Sequence, residues 1–194
     1  DFGVLMMEHL VEQMGTEGKY GVVVGAHTME THMQWADASV EWQRENYPDM
    51  ELATDPYIED ENDEQLCYER ISELIKAVPD IKGIRGNTAC SSPIAEQIIE
   101  EKGLIGKVFV SGLSLPSFAY EYIENGTLKY IHCWRPADAA YVSALAAYKV
   151  LKGEEITEGM DMGRPGYESI RIIENDFGVP VIYGDAALSI TKDN

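Results

Sequence analysis

Basic residues are scarce in this 194-residue chain: 15 Lys and Arg stand against 34 Asp and Glu, a formal net charge of −19. Nucleic acid and anionic membrane surfaces demand a basic patch, so this balance argues against both as partners. Long apolar runs are missing too. None approaches the ~18 residues that a membrane-spanning helix needs. The chain opens at Asp1 with neither a basic stretch nor an apolar core, so no signal peptide is in view and the start reads as a processed or excised end. Cysteine is sparse, with Cys67, Cys90 and Cys133 far apart and no C-x-x-C pair, so the pattern signals neither a metal site nor redox chemistry. The three read as small buried hydrophobes. Neither phosphate-cradling glycine motif, G-x-G-x-x-G or G-x-x-x-x-G-K-[ST], occurs, and G-x-S-x-G and H-E-x-x-H are absent. The motifs therefore name no cofactor, no metal and no catalytic residue, although His27, His32 and His132 among many serines allow a Ser-His pair on paper.

What is present is an alternation of strand and helix patterns. Phe2–Met14 carries Val4, Leu5, Met7, Leu10 and Val11 on one helical face. Tyr20–Gly25 is a β-branched strand, followed by a helix over Thr31–Glu45 and a weaker strand over Glu51–Tyr57. The run Glu59–Glu64 holds five carboxylates in six residues but lacks the calcium-loop spacing. It reads as a solvated loop whose Asn62 or Asp63 caps a helix to Ala77. Ile81–Arg85 is a strand, and Ser92-Pro93 reads as the N-cap and first residue of a helix to Lys102. Glycines 83, 86, 103 and 106 read as turn residues. Strand Val108–Val110, a helix from Pro116 to the stop at Asn125-Gly126, strand Leu128–Cys133 and an alanine-rich helix after Pro136 complete the regular part. Ile156–Met162, Ile170–Glu174 and Val179–Tyr183 are short strand candidates. Such alternation predicts an α/β fold with a doubly wound parallel sheet.

Open α/β sheets bind small molecules at the carboxyl ends of their strands. Three segments fall there: His27–His32, Gly86–Ser91 and Ser111–Leu115. They offer hydroxyls, an amide and imidazoles with almost no carboxylate, a set for hydrogen-bonding a neutral polyol rather than for acid–base hydrolysis. Trp134, after a strand and before Arg135-Pro136, is placed to stack on a sugar face or to pack in a hinge. Trp35 and Trp42, seven apart, read as core positions.

The stretches GVVVGAHTMETHMQW, LIKAVPDIKGIRGNTACSSPIAEQIIE, VFVSGLSLPSFAYEYIENGTLKYIHCWRPADAAYVSALAAYKVLKGE and VIYGDAALSITKDN, in this order and spacing, resemble the periplasmic-type sugar-binding proteins of ABC transporters. The likeness is to the ribose-binding-like class, and within it to the autoinducer-2 and rhamnose receptor group. In that family two α/β lobes, joined by three crossing strands, close on a sugar. The resemblance implies that residues 1–129 are the C-terminal ligand-binding lobe. Residues 130–194 would then supply hinge crossings and part of the N-terminal lobe, most of which lies outside this chain. It implies ligand contacts at Thr31, His32, Asn87, Thr88, Ala89, Ser114, Trp134 and Arg135. The autoinducer-2 receptors have Asp-Gln where this chain has Thr31-His32, and ribose binders have an Arg near His32 and an Asp near Ser114. The implied ligand is thus a sugar or sugar-like small molecule, with these departures setting the contact residues apart from those of both groups. The implied partner is an ABC permease, and the implied location is extracytoplasmic, in the periplasm or at a lipid-anchored cell surface. The alternatives left open are the sensing domain of a sugar-responsive transcription regulator and a small α/β enzyme. An apolar face of Ala137, Ala140, Tyr141, Ala144 and Tyr148 further implies a homodimer or domain swap.

Overall fold

The computed structural model describes residues 2–175 and 177–193. The chain packs as two compact units, residues 1–133 with 189–194, and residues 134–188.

In the first unit, α1 (Phe2–Met14) leads into β1 (Gly18–Val24), α2 (Glu30–Asn46), β2 (Met50–Leu52), β3 (Ile58–Glu59), α3 (Glu64–Ala77), β4 (Ile81–Gly86), α4 (Ser91–Glu101), β5 (Phe109–Gly112), α5 (Pro116–Asn125) and β6 (Ile131–Cys133). The sheet runs β2-β1-β4-β5 with β3 also on β1, and these pairings are all parallel. Side chains alternate faces along a strand. Val22 and Val24 therefore pack with Leu10, Val11 and Met14 of α1 and with Ala36 and Val40 of α2. Val23 points the other way, into a core built with Ile84, Val110, Ile71 of α3, Ile98 of α4 and Ile123 of α5. Helices on both faces make the sheet doubly wound, as the alternation predicts. β6 continues this order through a parallel bridge from Leu113 to His132 and pairs with β9 (Leu188–Ile190).

The second unit holds α6 (Pro136–Lys152) and the antiparallel hairpin of β7 (Arg171–Glu174) and β8 (Pro180–Tyr183). Val142, Met162 and Ile170 form its small core.

Several sequence expectations are corrected. Ile156–Met162 forms no strand, because left-handed backbone at Gly159 (φ 76°), just before buried Met162, cannot be part of an extended run. Of Glu51–Tyr57 only Glu51 and Leu52 are strand, the end of β2; Pro56, unable to donate to a ladder, lies in the gap before β3 at Ile58–Glu59. The strand expected over Leu128–Cys133 is only Ile131–Cys133. Helix α4 begins at Ser91, not after a Ser92 cap. Ser92 Oγ donates to the Leu113 carbonyl instead, and Pro93 is tolerated because first-turn amides lack helical acceptors anyway. Gly83 and Gly86 lie within β4 rather than in turns. A side chain at Gly86 would drive into Ser91, so the glycine there serves close packing of strand against helix. Trp35 and Trp42 are only half-buried: Trp35 packs on Phe2 and His32, and Trp42 on Tyr47.

Candidate functional site

Parallel strands deliver their carboxyl ends to one rim. After β1 comes Gly25, after β3 Asp60, after β4 Asn87–Cys90, and after β5 Leu113–Leu115. Backbone bonds lace these segments together. Asp60 N donates to Val24 O at 3.0 Å, Glu61 N to Gly25 O at 2.8 Å, Asn87 N to Val23 O at 2.9 Å and Leu113 N to Gly86 O at 2.9 Å.

His32, in the first turn of α2, is half-buried, and its Nδ1 accepts from the Gly25 amide at 3.1 Å. A neutral ring accepting at Nδ1 carries its proton on Nε2. Burial lowers the His32 pKa, with Arg85 adding to the effect against the opposing pull of Asp60, so the ring is a neutral donor at pH 7. Its face stacks on Trp35 with ring centres 5.7 Å apart. Asn87 is fully buried; its Nδ2 donates to the His32 carbonyl at 3.2 Å, while its Oδ1 is buried without a hydrogen-bond partner. A buried amide oxygen of this kind costs free energy until something donates to it.

Thr88 and Ser114, also buried, spend their protons within the protein. Thr88 Oγ1 donates to Asp60 Oδ2 at 2.5 Å, and Ser114 Oγ donates to the Ala89 carbonyl at 2.7 Å. Both hydroxyls thereby fix the backbone of the Asn87–Cys90 loop. Ala89 is half-buried and Thr31 is exposed on the outer side of the first turn of α2. The structure therefore brings His32, Asn87, Thr88, Ala89 and Ser114 together. Trp134 and Arg135 belong to the second unit. Both are exposed, and Arg135 lines a cavity of about 120 Å³ with Asp138, Pro165, Gly166, Asp185 and Ala186.

Sequence reasoning missed two charged residues here. Asp60, assigned to a solvated acidic loop, is fully buried. Besides Thr88, it accepts from the Asn62 amide at 2.9 Å, an Asx turn that two left-handed residues, Glu61 and Asn62, complete. The available signal was that turn chemistry, hidden among like charges. Arg85 on β4 is also fully buried. Its Nη2 donates to the Trp35 carbonyl at 3.2 Å, but Nε and Nη1 have no partner. Burial lowers its pKa to about 10.

The paper Ser-His pairing resolves into Ser111 and His132, 3.4 Å apart and both fully buried. The Ser111 proton goes to the Met6 carbonyl at 2.7 Å, and His132 Nε2 also meets His9 Nδ1 at 3.1 Å. This is a packed polar contact under α1. His27 is engaged at the loop surface, with Nε2 on the Tyr57 carbonyl and Nδ1 facing Glu59 at 3.1 Å. The strand ends thus carry neutral hydrogen-bonding groups, with a donor at His32 Nε2 and a buried, unpartnered acceptor at Asn87 Oδ1.

The sequence profile of the family described as a periplasmic binding protein domain matches residues 1–155. Among solved structures, the chain is similar to an ABC transporter solute-binding protein from Clostridium phytofermentas with bound L-rhamnose, at 22% identity and a TM-score of 0.83 over 100% of this chain and 63% of that one. It is also similar to LsrB from Clostridium saccharobutylicum in complex with AI-2, at 19% identity and 0.79 over 99% and 64%. A solute-binding protein from Actinobacillus succinogenes with bound D-allose matches at 21% and 0.73, over 99% and 59%. The chain therefore spans less than two thirds of the length of these structures.

Proposed function

The chain belongs to the periplasmic binding protein domain family, and from that premise we propose that it supplies a ligand-binding lobe of an ABC transporter solute receptor. The ligand is a sugar or polyol, delivered to a membrane permease outside the cytoplasm. The observation that carries this reading is the rim itself. His32 presents a neutral Nε2–H donor and Asn87 a buried Oδ1 acceptor without a partner, on segments joined by the bond from Asn87 Nδ2 to the His32 carbonyl and braced by Thr88 and Ser114. A sugar hydroxyl both donates and accepts, so hydroxyls match a neutral donor and a neutral acceptor without any charge being brought into the site. Thr31, Ala89, Trp134 and Arg135 remain ligand contacts that only the family resemblance implies. The similar structures carry L-rhamnose, D-allose and AI-2, small polyhydroxylated molecules of the chemistry this rim fits.

The test is ligand-detected NMR on the 194-residue chain against a panel of deoxyhexoses, pentoses and polyols, a format sensitive to weak binding. Saturation transfer to at least one sugar, lost in Asn87→Ala and weakened in His32→Ala, is the expected result. No transfer to any sugar, or transfer unchanged in both variants, overturns the assignment.

A further inference from the structure

Asp60, Cys67 and Cys90 come from three separate segments, the loop after β3, the first turn of α3 and the N-cap of α4. All three are buried, and one ligand atom from each, the two Sγ and a carboxylate oxygen, lie within 4.8 Å of one another. Cys90 Sγ donates to Asp60 Oδ2 at 3.7 Å, and Thr88 Oγ1 lies 3.4 Å from the same sulfur. No lysine, arginine or histidine forms an ion pair with Asp60 among the described residues. A buried carboxylate with no cation is held here by O–H, N–H and S–H donors alone.

We propose that Asp60, Cys67 and Cys90 form a binding site for one borderline-soft divalent metal ion, of which zinc is the archetype. The donor set is what zinc takes: thiolate sulfur at about 2.3 Å and carboxylate oxygen at about 2.0 Å. At a tetrahedral angle those lengths put sulfur and oxygen about 3.5 Å apart, close to the 3.7 Å between Cys90 Sγ and Asp60 Oδ2. Charge favours the exchange. With both thiols protonated the cluster carries the single negative charge of Asp60. When a dication binds, the two thiols release their protons to solvent, and two thiolates, one carboxylate and the metal again sum to one negative charge. The metal thus enters without adding net charge to the buried site. Thr88 supplies the outer-sphere hydrogen bond that orients the Asp60 carboxylate. A neutral oxygen, such as water, completes the tetrahedron. The site is separate from the proposed sugar contacts but shares the Asn87–Cys90 loop with them.

The test is cobalt(II) titration of the reduced chain. Binding through two thiolates produces sulfur-to-cobalt charge-transfer absorption and the intense visible bands of tetrahedral cobalt, saturating at one equivalent and bleached by zinc. Zinc binding in weak buffer releases about two protons per metal near neutral pH. Cys133→Ser keeps these signals, Cys67→Ser with Cys90→Ser removes them, and Thr88→Ala weakens binding about 10- to 100-fold. Absence of the charge-transfer band in the wild-type chain overturns the proposal without reference to any variant. So does a band that survives the double substitution or vanishes with Cys133→Ser.

Discussion

Thr88 Oγ1 donates to Asp60 Oδ2 across 2.5 Å, and this bond ties the loop after β4 to the loop after β3, 28 residues away in sequence. Both residues are buried, so the bond is made out of water, and it is charge-assisted. It holds the loop that presents Asn87 and Ala89.

Removing that donor is costly. Thr88→Val keeps the shape of the side chain and leaves a carboxylate oxygen without its O–H. Urea denaturation is expected to show a loss of about 1–3 kcal/mol. A change within about 0.5 kcal/mol would mean that the bond contributes nothing.

Arg85 leads to the opposite expectation. Its guanidinium is buried with one acceptor, the Trp35 carbonyl, and no carboxylate partner. Desolvating a charge on those terms is unfavourable, and an apolar residue of similar length is often neutral or better. Arg85→Met is expected to leave the melting temperature unchanged or raise it. A loss of about 3–5 kcal/mol, the cost of breaking a matched buried pair, would contradict it.

The acid side of the stability profile belongs to the buried imidazole. Burial, then His9 and Arg85, lowers the His132 pKa from 6.5 to about 3. Between these values the unfolded chain binds a proton that the folded chain refuses, so stability falls as pH drops from 6.5 toward 3. His132→Gln, measured by chemical denaturation across this range, flattens the slope. An unchanged slope would assign the acid response to other groups.

Glu96 on α4 acts with the reverse sign. Burial, with Glu100 nearby, raises its pKa from 4.5 to about 8. The folded state holds the proton through this window and the unfolded state does not, so stability is lost as pH rises from 4.5 to 8. Glu96→Gln is expected to be the more stable form at pH 8, with the difference vanishing near pH 4. Equal stability at both pH values would remove Glu96 from the account.

The exposed face of α6 predicts self-association. Ala137, Ala140, Tyr141, Ala144 and Tyr148 are all exposed on this 17-residue helix. Apolar area of this kind is a site for another surface. Sedimentation velocity over a concentration series is expected to show a monomer–dimer equilibrium that Tyr148→Glu weakens. A monomer throughout the series would leave the face without a partner among its own copies.

The α/β class, the element order and the position of the rim follow from the sequence by itself. Apolar strands such as Tyr20–Val24 and amphipathic helices such as α1 carry their period in the local pattern, and parallel topology then places the ends of β1, β4 and β5 together. His32, Asn87, Thr88, Ala89 and Ser114 lie in those end segments, but it was the family resemblance, not local pattern, that singled them out as ligand contacts. Tertiary structure alone decided how each group is spent. Asp60 looks like one more solvated carboxylate until β3 pairs with β1 and carries it under Thr88. Arg85 looks like a strand-end charge until α1 and α2 cover it. Cys67 and Cys90, 23 residues apart without a motif, meet only because α3 and α4 pack on the same face of the sheet. Local pattern encodes which face is apolar. Burial, pairing and ligand geometry depend on contacts between segments remote in sequence, and those exist only once the sheet has formed.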